Sequence, residues 1–355
     1  MTGGWIEYTV IFLSSALLCT AFAPIAIRLS WRFGSLDKPG GHKSHESPVP
    51  YLGGLAIVLA FSIALLLEST IRPSGSVNSE LRLILGTATV LAIIGFFDDM
   101  QSLSPWLRLV AEVGSGVMVW NLGAGVGLTG VTWVDLALTV FWVVGITNAS
   151  NLLDNMDGLA AGMVLIACSV YFAIAAANSQ FLVAGLSAGL AGCAAGFLRK
   201  NRYPARIYMG DGGALFLGFL VAYLGLKLKV SGDGYQTFLV PVLVCAIAIL
   251  DTTLVTVARL MSGRSPFQGG QDHISHRLVT LGLPVPVAVG LIHSAAACIG
   301  VLSFVCSRVD PISVWIIGGL VGLGLSASGV LLWAVPVYPE SQRPKFSFIE
   351  QPPAE

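Results

Sequence analysis

Residues 148–158 read Asn-Ala-Ser-Asn-Leu-Leu-Asp-Asn-Met-Asp-Gly and join two apolar runs, 134–147 and 159–177. Five side chains here, Asn148, Asn151, Asp154, Asn155 and Asp157, bind polar groups. The chain around them is 55% hydrophobic and only 11% charged. An ionisable group near hydrocarbon is costly unless it is paired, so such a cluster at a membrane edge signals a functional site. The stretch is expected to form the floor of a membrane-embedded active site.

On either side of this stretch, apolar segments recur at 7–27, 51–68, 81–97, 105–121, 134–147, 158–177, 180–198, 213–229, 237–258, 286–306 and 313–334. The mean hydropathy is +0.81. A spanning helix needs roughly 20 apolar residues, whereas a barrel strand alternates over about ten. The expected fold is therefore an all-α polytopic membrane protein with about 11 transmembrane helices. Residues 1–338 are expected to form one transmembrane domain. The proline-bearing, weakly apolar tail 339–355 is expected to be a disordered cytoplasmic end.

The residues ahead of the first run include Glu7 and no Lys or Arg, the reverse of a secretory signal. Thirteen of the 19 basic residues fall on one side of the expected topology, with Arg108 just inside a helix on that side, against Arg72, Arg82, Lys227, Lys229 and Arg308 on the other. The positive-inside bias then puts the N-terminus outside and the C-terminus in the cytoplasm; the expected location is the inner (plasma) membrane. Connectors 28–50, 98–104, 148–157, 199–212 and 259–285 all share the cytoplasmic side. The outer loops are short and nearly uncharged, so the chemistry is expected to face the cytoplasm. The six cysteines show no CxxC spacing, which indicates neither a disulfide framework nor a zinc site. Balanced charge gives no nucleic-acid signal. The pairs Gly185/Gly189, Gly192/Gly196 and Gly318/Gly322 suit close helix packing within one chain, with a homodimer seam as the second reading.

Five polar clusters share the cytoplasmic face. In the first, Lys43 and His45 precede Pro50-Tyr-Leu-Gly-Gly54 and are candidates for phosphate contact. Asp98 and Asp99 end a helix, where the dipole prefers cations; adjacent acids there share a cation or a proton. In the opening stretch, amides beside carboxylates suit a base or ribose together with a hard cation, Mg²⁺ or Mn²⁺ rather than zinc. Arg199, Lys200, Asn201, Arg202 and Arg206 lead to Gly210-Asp-Gly-Gly213, whose helix N-terminus faces an anion; this suggests a diphosphate held with a metal ion. Last, Asp272, His273, His276 and Arg277 share a face if helical. There Asp272 would fix the His276 imidazole and Arg277 would offer a phosphate fork. His293 is expected to be a hydrogen-bonded core residue, and Asp251 either a helix tether or a support for the site.

In this order the motifs Lys43-x-His45, Asp98-Asp99, Asn148-x-x-Asn151-x-x-Asp154-Asn155-Met156-Asp157-Gly158, Met209-Gly210-Asp211-Gly212-Gly213 and His273-x-x-His276-Arg277 resemble the polyprenyl-phosphate N-acetylhexosamine-1-phosphate transferase family. The similarity is nearest to the bacterial undecaprenyl-phosphate N-acetylglucosamine branch. The resemblance implies an Mg²⁺-dependent transfer of sugar-1-phosphate from a UDP-N-acetylhexosamine to a polyprenyl (undecaprenyl) phosphate, with UMP released. It implies Asp211 as principal metal ligand and Asn151 as a second. Asp98 would accept the lipid phosphate's proton or orient that phosphate, supported by Asp99. Asp154 would lie near the uracil and Asp157 would complete that loop. His273, His276 and Arg277 would hold sugar and diphosphate. Two departures, Ser102 and Ser275, stand where the family usually carries a third acidic or amide residue and often a middle histidine; they argue against the muramoyl-pentapeptide branch. The rival readings are a membrane prenyltransferase, which would show two spaced aspartate-rich motifs, and a secondary transporter of an anionic solute, which would place its acids near the midplane in repeats.

Overall fold

A computed structural model describes residues 4–37, 47–71, 75–101, 103–230 and 234–338. Its helices are α1 (Trp5–Phe33), α2 (Gly53–Ile71), α3 (Gly75–Gln101), α4 (Pro105–Asn121), α5 (Thr132–Leu152), α6 (Leu159–Ala177) and α7 (Phe181–Asn201). They continue as α8 (Gly210–Lys227), α9 (Gly234–Val244), α10 (Ala246–Met261), α11 (Ile274–Thr280), α12 (Val285–Cys306) and α13 (Pro311–Trp333). One two-residue antiparallel pair, β1 (Leu36–Asp37) with β2 (Val49–Pro50), lies between α1 and α2.

The fold is an all-helical multi-pass membrane protein. Nine of the described helices are long and apolar enough to cross a bilayer, and α9 with α10, bent by 72° at Cys245, makes up to ten. The remaining expected segment, 105–121, is the helix α4 of 17 residues, at the short end of the roughly 17–25 that span a bilayer. Large apolar side chains on α1 and α13, such as Leu17, Trp315, Leu320 and Leu331, stay exposed in a way that only lipid would cover.

The bundle is organised around α8, whose residues 212–225 are all buried. A helix apolar on every side is a core helix. It is approached so closely that side chains are excluded at the contacts. A Cβ on Gly95 of α3 would sit 2.6 Å from the Asp211 carbonyl, and one on Gly54 of α2 would lie 2.4 Å from the Gly213 nitrogen. These contacts bring the first turn of α8 against the end of α3 and the start of α2. The connector ahead of it is laced to the start of α2 by Tyr208 N–H to Pro50 O (2.8 Å), Gly53 N–H to Tyr208 O (3.0 Å) and Gly54 N–H to Met209 O (2.9 Å). The Gly192/Gly196 pair packs α7 on α1, where added Cβ atoms would meet the Phe12 and Ala16 carbonyls at 2.3 and 2.4 Å. Close packing within one chain therefore accounts for that pair.

Candidate active site

Several residues expected in connectors belong to helix ends. Asp98 and Asp99 lie in the last turn of α3, and Asn148 and Asn151 sit one turn apart near the end of α5. Only residues 153–158 of the opening stretch leave the helix. Gly158 closes that turn with φ +74°, a left-handed conformation that suits glycine. Asn201 ends α7, and Asp211 is in the first turn of α8.

Four helices converge on one guanidinium. Arg108 of α4 donates to Asp98 Oδ2 (2.8 Å) and to Asp211 Oδ2 (2.9 Å), and its second nitrogen reaches Asn151 Oδ1 (3.3 Å). Asn151 Nδ2 in turn donates to Asp211 Oδ1 at 2.8 Å. The backbone N–H of Asp211 donates to Asp99 Oδ1 (3.1 Å), and that of Leu103 to Asp98 Oδ1 (2.7 Å). Three carboxylates thus come together on one cation plus backbone donors, which is how adjacent buried acids are made tolerable. One turn along α4, the buried Glu112 accepts from Asn148 Nδ2, while its Oε1 has no partner. Arg108 and Glu112 are the functional candidates that sequence reasoning missed. Their signal was an ionisable pair at i,i+4 spacing inside an otherwise apolar helix.

The rest of the opening stretch faces two neighbours. Asp157 Oδ2 accepts from Ala205 N–H at 2.8 Å, so this carboxylate pins the 202–209 connector. Asn155 Oδ1 accepts from Ser275 Oγ at 2.6 Å, joining the stretch to α11. Asp154 remains in the site, where burial, then the charges of Asp211, Asp99 and Asp157, push its carboxyl up to about 8. Asn201 is buried, and its Nδ2 donates to Ile207 O (3.0 Å), which folds the connector over it. Arg206 is exposed on that connector. Among the described residues no ion pair joins Arg199, Lys200, Arg202 or Arg206 to Asp211; the cation that meets Asp211 is Arg108. Lys43 and His45 lie outside the described residues.

The last cluster is arranged differently from the single helical face expected. α11 begins at Ile274, so Asp272 and His273 precede it. Asp272 meets Arg259 rather than His276, through a two-pronged pair at 2.8 and 2.7 Å, and also accepts from the Tyr338 hydroxyl. Although burial raises its pKa, the bonds from Arg259 and Tyr338 prevail and hold Asp272 down to about 2. Arg277 is buried, and instead of an open fork it donates to the Asp272 carbonyl (2.9 Å) and to the Leu332 and Val335 carbonyls (2.9 and 3.2 Å). Those carbonyls lie at and just past the end of α13, where the helix runs out of donors and an arginine adds its own. Asp251 accepts from Ile274 N–H (2.7 Å) and bonds His273 Nδ1 (2.8 Å), which makes it both tether and orienting group. The His276 ring stands 5.9 Å from that of His273. His293 Nε2 bonds the Leu159 carbonyl at 3.1 Å, as a core histidine should.

Asp98, Asp99, Asp211 and Asn151 offer oxygen donors alone, the chemistry of a hard divalent cation. Among the described residues no three His, Cys, Asp or Glu side chains are grouped as a metal cage.

The sequence that forms this arrangement has relatives of known name. The chain matches the model described as "Glycosyl transferase family 4" over residues 81–229. It is 30% identical over 299 residues to a "Probable undecaprenyl-phosphate N-acetylglucosaminyl 1-phosphate transferase" of Bacillus subtilis, covering 81% of this chain and 82% of the relative. The chain belongs to glycosyl transferase family 4. A "Decaprenyl-phosphate N-acetylglucosaminephosphotransferase" of Mycolicibacterium smegmatis is 29% identical, covering 84% of this chain and 81% of that one. A "Phospho-N-acetylmuramoyl-pentapeptide-transferase" of Bacillus pumilus is 30% identical over 64% of this chain and 76% of its own. All three names describe transfer of a phosphosugar, two of them to a polyprenyl phosphate.

Proposed function

We propose that the protein transfers N-acetylhexosamine-1-phosphate, GlcNAc-1-phosphate in the first instance, from a UDP-sugar to undecaprenyl phosphate. The products would be undecaprenyl-diphospho-sugar and UMP, at the first membrane step of cell-envelope polysaccharide synthesis. The observation that carries this reading is the convergence of Asp98, Asp211 and Asn151 on Arg108 in a family whose relatives bear the names given above.

In the reaction, an oxygen of the lipid phosphate attacks the β-phosphorus in line. A P–O bond forms, and the bond from that phosphorus to the bridging oxygen breaks, so UMP leaves with the electron pair. A phosphate oxygen is a competent nucleophile near neutral pH. A direct displacement is therefore preferred over an aspartyl intermediate, and positioning with charge neutralisation is what the protein must supply. Arg108 supplies positive charge among the acids. Asp98 orients the acceptor phosphate or takes its proton, and Asp99 holds the first turn of α8. Asp154 faces the uracil, and His273, aligned by Asp251, lies with His276 on the sugar-diphosphate side. Asp211 and Asn151 are the residues that would hold Mg²⁺, or Mn²⁺ in its place, and such an ion would offset the diphosphate's charge. The bias of basic residues toward the same side supports a site on the cytoplasmic face of the inner membrane.

The test is an assay of the purified protein with undecaprenyl phosphate and a panel of UDP-N-acetylhexosamines, following UMP and lipid-linked sugar. Absence of lipid-linked sugar from every donor would sink this reading.

A further inference from the structure

The cations that the Asp211 site does not use point elsewhere. Arg199 and Lys200 occupy the last turn of α7, and Arg202 follows as its C-cap in extended backbone. With Thr20 and Pro24 of α1 they line a cleft of about 500 Å³. Lower down, the α1–α7 seam is closed, because Gly192 and Gly196 let the Phe12 and Ala16 carbonyls approach. The seam opens where the small residues stop and the cations begin.

Three properties identify what fits there. Arg199 and Arg202 are exposed, and no ion pair joins any of the three cations to a carboxylate among the described residues. The cleft therefore carries uncompensated positive charge. Its depth is set by α7, whose 21 residues at 1.5 Å each cover about 30 Å, so the last turn lies where hydrocarbon gives way to headgroups. Trp31, more than half exposed farther along α1, is an interfacial anchor on the same side. On the α1 wall the Thr20 hydroxyl reaches the Gly196 carbonyl at 3.5 Å, at the point where the seam opens. The helix dipole explains basic residues at Arg199 and Lys200, but neither the cleft nor Arg202 beyond the helix end.

We propose that this cleft binds the phosphate of an anionic lipid headgroup, at a site separate from Asp211. Arg202 links it to the candidate active site, because its Cα lies 3.4 Å from where a Cβ on Gly158 would be, at the end of the turn carrying Asp154 and Asp157. Binding there does not depend on the reaction proposed above.

The test uses the full chain, equilibrated in phosphatidylcholine bilayers with or without phosphatidylglycerol, released in mild detergent and weighed by native mass spectrometry. The native protein should retain phosphatidylglycerol in preference to phosphatidylcholine. With each interfacial cation worth about 1 kcal/mol, the R199Q/K200Q/R202Q protein should retain it at least about tenfold less. Arg202→Gln alone, at an exposed position, should give a partial loss, and Arg308→Gln at the opposite end none. Inorganic phosphate is the second probe. A lipid that persists in its presence assigns the cleft to headgroups, and displacement assigns it to soluble phosphate esters, overturning the lipid assignment. Equal retention by native and triply substituted chains would overturn the site altogether.

Discussion

Removing the Arg108 guanidinium would leave Asp98 and Asp211, now 2.8 and 2.9 Å from one nitrogen, without their shared cation. Arg108→Ala is expected to lower UMP release by about 10²-fold or more, the usual scale for losing one preorganised charge partner. Arg108→Lys keeps the charge but not the planar fork that reaches three side chains from two nitrogens, so recovery should be partial. Full activity in Arg108→Ala would remove this residue from the site. Asp154 supplies the pH dependence. Its carboxyl, raised from 3.8 to about 8, is neutral through most of the physiological range and ionises as pH climbs past that value. A carboxylate accepts from the uracil imide N–H where a carboxylic acid competes with it. Apparent affinity for the UDP-sugar should therefore rise with pH up to about 8 and level off above it. Asp154→Asn should flatten that inflection; an unchanged profile in the variant would detach Asp154 from the nucleotide. At this scale the sequence was partly legible. Asp98, Asp99, Asn151 and Asp211 stood out as polar groups at the ends of apolar runs and do come together. Arg108 did not, because a cation just inside a helix, even with Glu112 one turn on, has the same local pattern whether it anchors the helix at the interface or bonds two acids and an amide on three other helices.

At the scale of elements, the loop before α11 hangs on a buried pair. Arg259 and Asp272 are both about 1% exposed and meet at 2.7 Å. Removing one partner of such a pair strands the other charge, so Asp272→Ala should destabilise the fold by about 3 kcal/mol or more, measured as a lower melting temperature in detergent. Because the Asp272 carboxyl is depressed from 3.8 to about 2, its contribution is complete above 3.8 and is lost only as pH falls through about 2. Neutral-pH activity should not depend on its titration. The helix-face pattern at 272–277 misled for a physical reason. Local spacing places side chains relative to their own helix, whereas Arg277 was claimed by the carbonyls ending α13, 55 residues away. The apolar segments were more legible, since each of those expected coincides with a helix or with the broken pair α9–α10. Their ends were not. Polar residues in the last turns of α3 and α5 look like loop until the glycine contacts with α8 show that the helices continue.

Across the whole molecule, the site-bearing connectors 202–209 and 262–273 lie at one end of the bundle, and the turn at 122–131 follows α4 to the other. The proposed cytoplasmic site therefore makes a prediction about sides that the fold alone does not contain. Phe267 is 74% exposed in the first group, and Thr129 lies in the opposite turn, bonded to Asp135. Single cysteines at these two positions, scored against the native chain's own background, should separate in right-side-out membrane vesicles. Thr129→Cys should react with a membrane-impermeant maleimide at once, and Phe267→Cys only after permeabilisation. The reverse order would turn the molecule over and put Asp211 on the outer face, out of reach of a cytoplasmic UDP-sugar. The same result would also reassign the cleft beside Arg199, since it shares a membrane side with Asp211 through the short connector between α7 and α8. One labelling experiment thus bears on substrate access and on which leaflet's lipids could fill the cleft.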